Sequence, residues 1–221
     1  MTAGRMTSTR PLSSIEMRVQ RAVKRLLDVV IASILLVLLA PLLVLVAAAV
    51  RLTSPGPAVF RQERLGLHQQ PFMVYKFRSM RGDADPDVHR RFLYEQAGGT
   101  CEVDHFKVVE DRRVTAVGKV IRKLSIDELP QLVNVLKGQM SLVGPRPDLA
   151  YSLNIYAAHH FRRFDVPPGM TGLWQVSGRS ELSYLQMLDL DVQYADTWNL
   201  ALDLTILART VPVVLDVDRA G

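Results

Sequence analysis

Apolar positions along the chain form one long unbroken run and several shorter, punctuated ones. Residues 29–50 carry no charged side chain. A helix needs about 20 apolar residues to cross a hydrocarbon core, so this run is just long enough. It is too long for a signal peptide and lacks a small-residue cleavage pattern. Pro41 stands near its middle, where its missing N–H and its clash with the Val37 carbonyl kink or break a helix. Upstream, Ile15, Val19, Ala22, Val23 and Leu26 recur at helical spacing, while Arg18, Arg21 and Arg25 take other faces. Ser13 and Glu16 have capping-box spacing. The pattern predicts a helix lying at a membrane surface. Asp28, at the entry of the apolar run, calls for Lys24 or Arg25 as partner, or for an interfacial position.

A turn cluster at 53–57 closes this module. Beyond it, 59–60 and 72–77 predict two strands of a hairpin around a polar turn containing Gly66. Residues 82–104 are polar and predict a helix and a loop. Helical stretches follow over 114–134, interrupted at Pro130, and over 151–164, ended by Pro167-Pro168-Gly169. Residues 182–215 predict two helical segments. Strands and helices do not alternate as in a doubly wound sheet. The expected architecture is α+β and mostly helical, in three parts. Residues 1–25 form a tail and interfacial helix, 26–52 a membrane helix, and 53–221 a catalytic domain with interfacial helices and a small β-hairpin.

Charge changes the picture of the membrane run. Arg18, Arg21, Lys24 and Arg25 precede it, and Arg51, Arg61 and Arg64 follow it. Basic residues favour the cytoplasmic side, so the symmetry favours a re-entrant helix with both ends there over a straight span. The 221 residues carry a net charge of +5, which points to anionic partners: nucleic acid, anionic lipid or phosphorylated metabolites. A single cysteine, Cys101, excludes an internal disulfide framework.

Candidate chemistry gathers in a few stretches. Asp127 and Glu128 follow Ser125 and precede Pro130. Ser125 and Glu128 are spaced as a capping box, so one reading is simply a capped helix. The other is a nucleophilic or cation-binding carboxylate pair, with Arg122 and Lys123 near enough to hold phosphate oxygens. Pro130 implies local distortion. Gly144, Pro145 and Pro147 form a stiff turn presenting Arg146 for bidentate phosphate contact, or merely an exposed loop arginine. Lys76 and Arg78 share one face of the second strand. A glycine-punctuated loop with Trp174 and Arg179 is suited to wrapping a nucleotide, although turn chemistry explains its glycines equally well. Neither a Walker A nor a dinucleotide fingerprint is present.

Six stretches in register resemble the bacterial sugar transferase family, the monotopic polyprenyl-phosphate sugar-1-phosphate transferases. They are Tyr-Lys-Phe-Arg-Ser-Met (75–80), Arg-Val-Thr (113–115), Ser-Ile-Asp-Glu-Leu-Pro-Gln-Leu (125–132), Met-Ser-Leu-Val-Gly-Pro-Arg-Pro (140–147), Gly-Leu-Trp-Gln-Val-Ser-Gly-Arg (172–179) and Asp-Val-Gln-Tyr (191–194). The resemblance extends over about 24–214. It implies transfer of a sugar-1-phosphate from a UDP-sugar to polyprenyl (undecaprenyl) phosphate, with release of UMP, at the start of exopolysaccharide, capsule or O-antigen synthesis.

By this resemblance Asp127 is the nucleophile, Glu128 stands beside it, and Mg²⁺ is held at the pair. Arg122 and Arg146 match phosphate-contacting arginines, with Lys76 and Arg78 as further phosphate candidates. Arg179 and Asp191 match later polar positions assigned to nucleotide or sugar contact. The family's membrane helix re-enters at a Ser-Pro, which here is Ala40-Pro41; its Gly-Arg-Asn is here Gly178-Arg179-Ser180. The implied location is the cytoplasmic face of the bacterial inner membrane. Implied partners are the UDP-sugar, polyprenyl phosphate and the bilayer, with no nucleic acid and with a homodimer left open. The chain resembles a minimal or truncated catalytic unit. A membrane phosphohydrolase and a non-enzymatic basic scaffold are the alternatives.

Overall fold

The computed structural model describes residues 14–81, 90–91, 93–95, 113–178 and 182–215. Helix α1 spans Ser14–Thr53 without interruption, so the interfacial and membrane segments form one element. Strands β1 (Val59–Leu65) and β2 (Pro71–Phe77) pair antiparallel, with Val59 opposite Phe77 and Leu65 opposite Pro71. Helix α2 (Ala116–Lys123) leads into a 3₁₀ helix, Ile126–Gln131, and then into α3 (Leu132–Leu136). Strands β3 (Ser141–Val143) and β4 (Gly169–Thr171) form a small parallel pair. Helices α4 (Tyr184–Thr197) and α5 (Leu200–Leu215) complete the described chain.

The main core gathers Leu132, Val135, Met140, Val143, Tyr194 and Ile206 around Ala32 of α1. A second cluster joins Val46 and Val50 of α1 to Phe77 and Ile121. Both arms of α1 therefore pack on the same body. Between them, Val37, Leu38, Val44 and Leu45 are exposed, and only 11% of the most apolar window is buried. A core helix of a water-soluble fold would hide such a window. Burying it would be worth about 25 cal/mol per Å², so this surface is suited to lipid.

Polar contacts fix each arm. Near the start, the Lys24 ammonium donates to Asp203 (2.6 Å) and to the Val143 carbonyl (2.9 Å). Arg25 donates to the Val135 and Leu136 carbonyls at the end of α3, where the helix dipole favours a cation. Asp28 accepts from the Leu142 N–H (2.9 Å) and the Ser141 hydroxyl (3.1 Å). Its hydrogen bonds thus go to β3, while Lys24, one of the two expected partners, acts on it through charge. At the far end, Arg78 donates to the Ser54 carbonyl (2.7 Å) and hydroxyl (2.9 Å).

Several expectations change. Pro41 removes one backbone donor yet does not end α1. The helix predicted over 151–164 is two 3₁₀ pieces, Ala150–Ile155 and Ala158–Asp165. Strand β1 is longer than predicted and absorbs Arg61 and Arg64, two of the basic residues that follow the apolar run. The β3–β4 pair was not anticipated, because three-residue strands carry too little alternation to read. Ser13 of the first capping box lies outside the described residues, as does most of 82–104.

Candidate active site

The carboxylate pair sits on the 3₁₀ helix, not on an α-helix. Ser125 takes a left-handed backbone (φ 55°) and makes no side-chain cap, so the capping box expected there does not form. A non-glycine residue in that region stores strain, a feature that clusters at functional sites. Pro130 cannot donate to a carbonyl four residues back, and the segment winds at about three residues per turn. Adjacent side chains then diverge by roughly 120°, and the two acids meet different surroundings. The distortion implied by Pro130 is present.

Glu128 receives both neighbouring cations. The Arg146 guanidinium reaches it with two nitrogens, at 2.5 and 3.1 Å, and the Lys76 ammonium lies at 3.0 Å. Burial would raise the Glu128 carboxyl, but Arg146 and Lys76 outweigh it and hold the group well below the carboxylate range. Glu128 in turn raises the Arg146 guanidinium further, against its burial. Burial lowers the Lys76 ammonium despite Glu128.

Asp127 is half-buried and has no hydrogen-bond or ion-pair partner among the described residues. Burial and the Glu128 charge push its carboxyl up to about 6, opposed by Lys76, Arg122 and Arg146. The site thus sets one neutralised carboxylate beside one that has no partner among the described residues and is adjacent to cations. That is what a carboxylate nucleophile facing an anionic phosphate requires, since its basicity is kept and repulsion is offset.

Neighbouring elements place these groups. Asn134, fully buried, accepts from the Tyr75 N–H (3.1 Å) and donates to the Met73 carbonyl (2.6 Å), locking α3 to β2 beside Lys76. Gly144 is closely packed: a Cβ there would lie 2.3 Å from the Pro167 carbonyl oxygen. Only glycine lets the turn before Arg146 approach β4 so closely.

The predicted residues divide. Asp127, Glu128, Lys76 and Arg146 come together, and Arg122 stands exposed in the last turn of α2, near enough to act on Asp127. Arg78 turns away to clasp the end of α1. Asp191 is 1% exposed and bonded to Arg163 at 2.6 Å. Burial pushes its carboxyl up to about 6 in spite of that partner. Arg179 and Ser180 lie outside the described residues.

The chain matches the sequence model of the bacterial sugar transferases over residues 19–217. It belongs to that family. Among the sugar transferases it resembles is the UDP-glucose:undecaprenyl-phosphate glucose-1-phosphate transferase of Caulobacter vibrioides. The two are 46% identical over 89% of this chain and 71% of that protein. Exopolysaccharide production protein ExoY of Rhizobium meliloti is 40% identical, over 86% of this chain and 84% of its own length. The undecaprenyl-phosphate galactose phosphotransferase of Salmonella typhimurium is 42% identical over 92% of this chain, which corresponds to 42% of that longer protein.

This sugar transferase holds further groups that the sequence reading missed. Arg64 donates to the Pro147 carbonyl at 3.3 Å, within the loop that carries Arg146. Arg163 reaches the Arg146 carbonyl itself (2.6 Å). Nothing in the spacing of either arginine announces this; each approaches from a distant element. His159 and His160 converge on Asp189, both at 3.1 Å. The His160 Nδ1 accepts the Ala157 N–H (3.0 Å), which leaves the proton of a neutral ring on Nε2, facing Asp189. A donor there fits a clasp between α4 and the 3₁₀ helix better than a metal ligand.

Proposed function

We propose that this sugar transferase moves a sugar-1-phosphate from a UDP-sugar to polyprenyl phosphate and releases UMP, initiating bacterial glycoconjugate synthesis. The observation carrying this reading is the Asp127 carboxylate, without a partner among the described residues, beside a Glu128 held by Lys76 and Arg146. The names of the relatives supply the substrate class. An Asp127 oxygen attacks the sugar-linked phosphorus, and the bond from that phosphorus to the bridging oxygen breaks. UMP leaves with the bridging oxygen, giving a phosphosugar-aspartyl intermediate. An oxygen of polyprenyl phosphate then attacks the same phosphorus, restores the carboxylate and forms the polyprenyl-diphosphate-sugar. Arg146 has five N–H donors and gives two to Glu128, leaving three for phosphate oxygens.

The donor set fits Mg²⁺. Asp127 offers the oxygen that does not attack, while both Glu128 oxygens are already held by Arg146 and Lys76. Mg²⁺ commonly takes one or two carboxylates with its remaining ligands from phosphate and water. Bound there, the ion would supply charge neutralisation at the diphosphate. Product analysis tests the reaction class. The expected result is UMP release that requires both polyprenyl phosphate and Mg²⁺ for turnover and yields lipid-linked sugar. Chelation of divalent cations abolishes it, and added Mg²⁺ restores it. Free sugar phosphate as product would instead mean a hydrolase, and lipid binding without turnover a scaffold.

In this reading α1 re-enters the membrane from the cytoplasmic face, with 37–45 as the lipid-buried apex. Support comes from polar contacts of both arms to one body, through Lys24 and Asp28 at one end and Val50–Ser54 at the other. In a Cys101→Ser background, single cysteines at positions 10 and 54 should both resist labelling from the periplasm. Labelling at one position alone would restore a straight span.

A further inference from the structure

The loop that presents Arg146 is held by its main-chain carbonyls. The Val143 oxygen accepts from Lys24 (2.9 Å), Pro145 from the Gly169 N–H (2.8 Å), Pro147 from Arg64 (3.3 Å) and Asp148 from the Leu65 N–H (2.8 Å). The carbonyl of Arg146 itself accepts from Arg163 Nη2 at 2.6 Å. That peptide plane is one of the two that meet at the Arg146 Cα, so turning it shifts the direction of the Cα–Cβ bond.

Arg163 is 3% exposed and fully engaged. Its Nη2 lies 2.6 Å and its Nε 3.2 Å from Asp191 Oδ2. Its Nη1 reaches the Tyr156 hydroxyl (2.5 Å) and Asp148 Oδ2 (3.3 Å). The Tyr156 hydroxyl donates to Asp148 at 2.7 Å, and Tyr184 donates to the same oxygen. Burying a guanidinium with two carboxylates is costly and is weak evidence for stability as such, since an apolar cluster of the same volume often does better. What the charged set supplies is direction: a planar fork locked on several sides can hold one carbonyl at a fixed angle. Pro147 already confines the Arg146 backbone to the extended region, and the Arg163 contact fixes the carbonyl within that range.

We infer that Arg163, held by Asp191 and Asp148, is a positioning residue for Arg146 that aims its guanidinium at Glu128 and the substrate diphosphate. Asp191 then acts through Arg163 and Arg146, without touching nucleotide or sugar. The inference rests on the transferase reading for its kinetic readout.

A double-mutant cycle tests it in the full-length protein. Arg163→Lys keeps the charge but loses the forked contact. It should lower UMP release roughly 10- to 100-fold, mainly in kcat, because misaiming by about 1 Å costs on that order. In an Arg146→Ala background the same change should cost less than about twofold, because it acts through the missing group. Equal losses in both backgrounds overturn the inference. Should Arg163→Lys fail to fold, Tyr156→Phe removes one hydroxyl from the set and should show a smaller loss that also vanishes with Arg146→Ala. A loss that persists there overturns it. A crystal structure of the Arg163→Lys or Tyr156→Phe protein reads the point without turnover. Displacement of the Arg146 guanidinium from Glu128 supports positioning, and an unmoved guanidinium refutes it. Absence of UMP release by the wild type would count against the transferase reading alone.

Discussion

Asp127→Asn should reduce UMP release by about 10⁴-fold or more, the scale seen when a nucleophile that works with its neighbours is removed. The amide matches the carboxylate in size but cannot displace UMP from the sugar-linked phosphorus. Folding should survive the change. Asp127 has no ion-pair partner among the described residues, and its carboxyl is raised to about 6 by burial and by Glu128. A carboxyl with a folded value above its unfolded one is disfavoured in the charged form, so at neutral pH the neutral amide relieves a cost. The variant should therefore melt at or above the wild-type temperature while turnover disappears. Intact-mass measurement should find a sugar-phosphate adduct on the wild type and none on the variant. Substantial turnover by Asp127→Asn protein free of wild-type contamination would end the nucleophile assignment.

Arg146→Ala is the second large effect, about 10²- to 10³-fold in kcat, comparable to removing one preorganised donor at a developing charge. Two consequences combine. The three N–H groups available to phosphate are lost, and Glu128 keeps only Lys76. With half of its neutralisation gone, Glu128 repels the incoming diphosphate. Arg146→Lys should recover only part of the loss, because an ammonium is a point charge that cannot satisfy Glu128 and a phosphate with a fixed fork. Steady-state UMP release for the three proteins decides the matter. Full activity of the lysine variant would show that charge alone is needed.

Much of the site was readable before any coordinates. The adjacent acids, the stiff turn at Arg146 and the strand lysine all rest on local features, and Pro130 pointed to distortion around the acids. Legibility failed where the partner comes from far along the chain. Lys76 and Arg78 are two residues apart, yet one meets Glu128 and the other the end of α1, because β2 ends at Phe77, between them. Arg64 reads as a membrane flank because it follows the apolar run together with Arg51 and Arg61, whereas β1 carries it to the loop after Arg146. The helix expected at 151–164 separated into two 3₁₀ pieces, the second of which presents Arg163 to the buried acids Asp148 and Asp191.

The sequence by itself determined the apolar run with Pro41, the β-hairpin, the two terminal helices and the place of the acid pair just before Pro130. These depend on periodicity, turn chemistry and the intrinsic geometry of proline and glycine, which act over a few residues. Only the tertiary structure decided that Glu128 receives both Lys76 and Arg146, which arginine is structural, and that both arms of α1 rest on one domain. Those outcomes depend on contacts between residues 18 to 179 positions apart, and no local pattern encodes the distance at which a charge finds its partner.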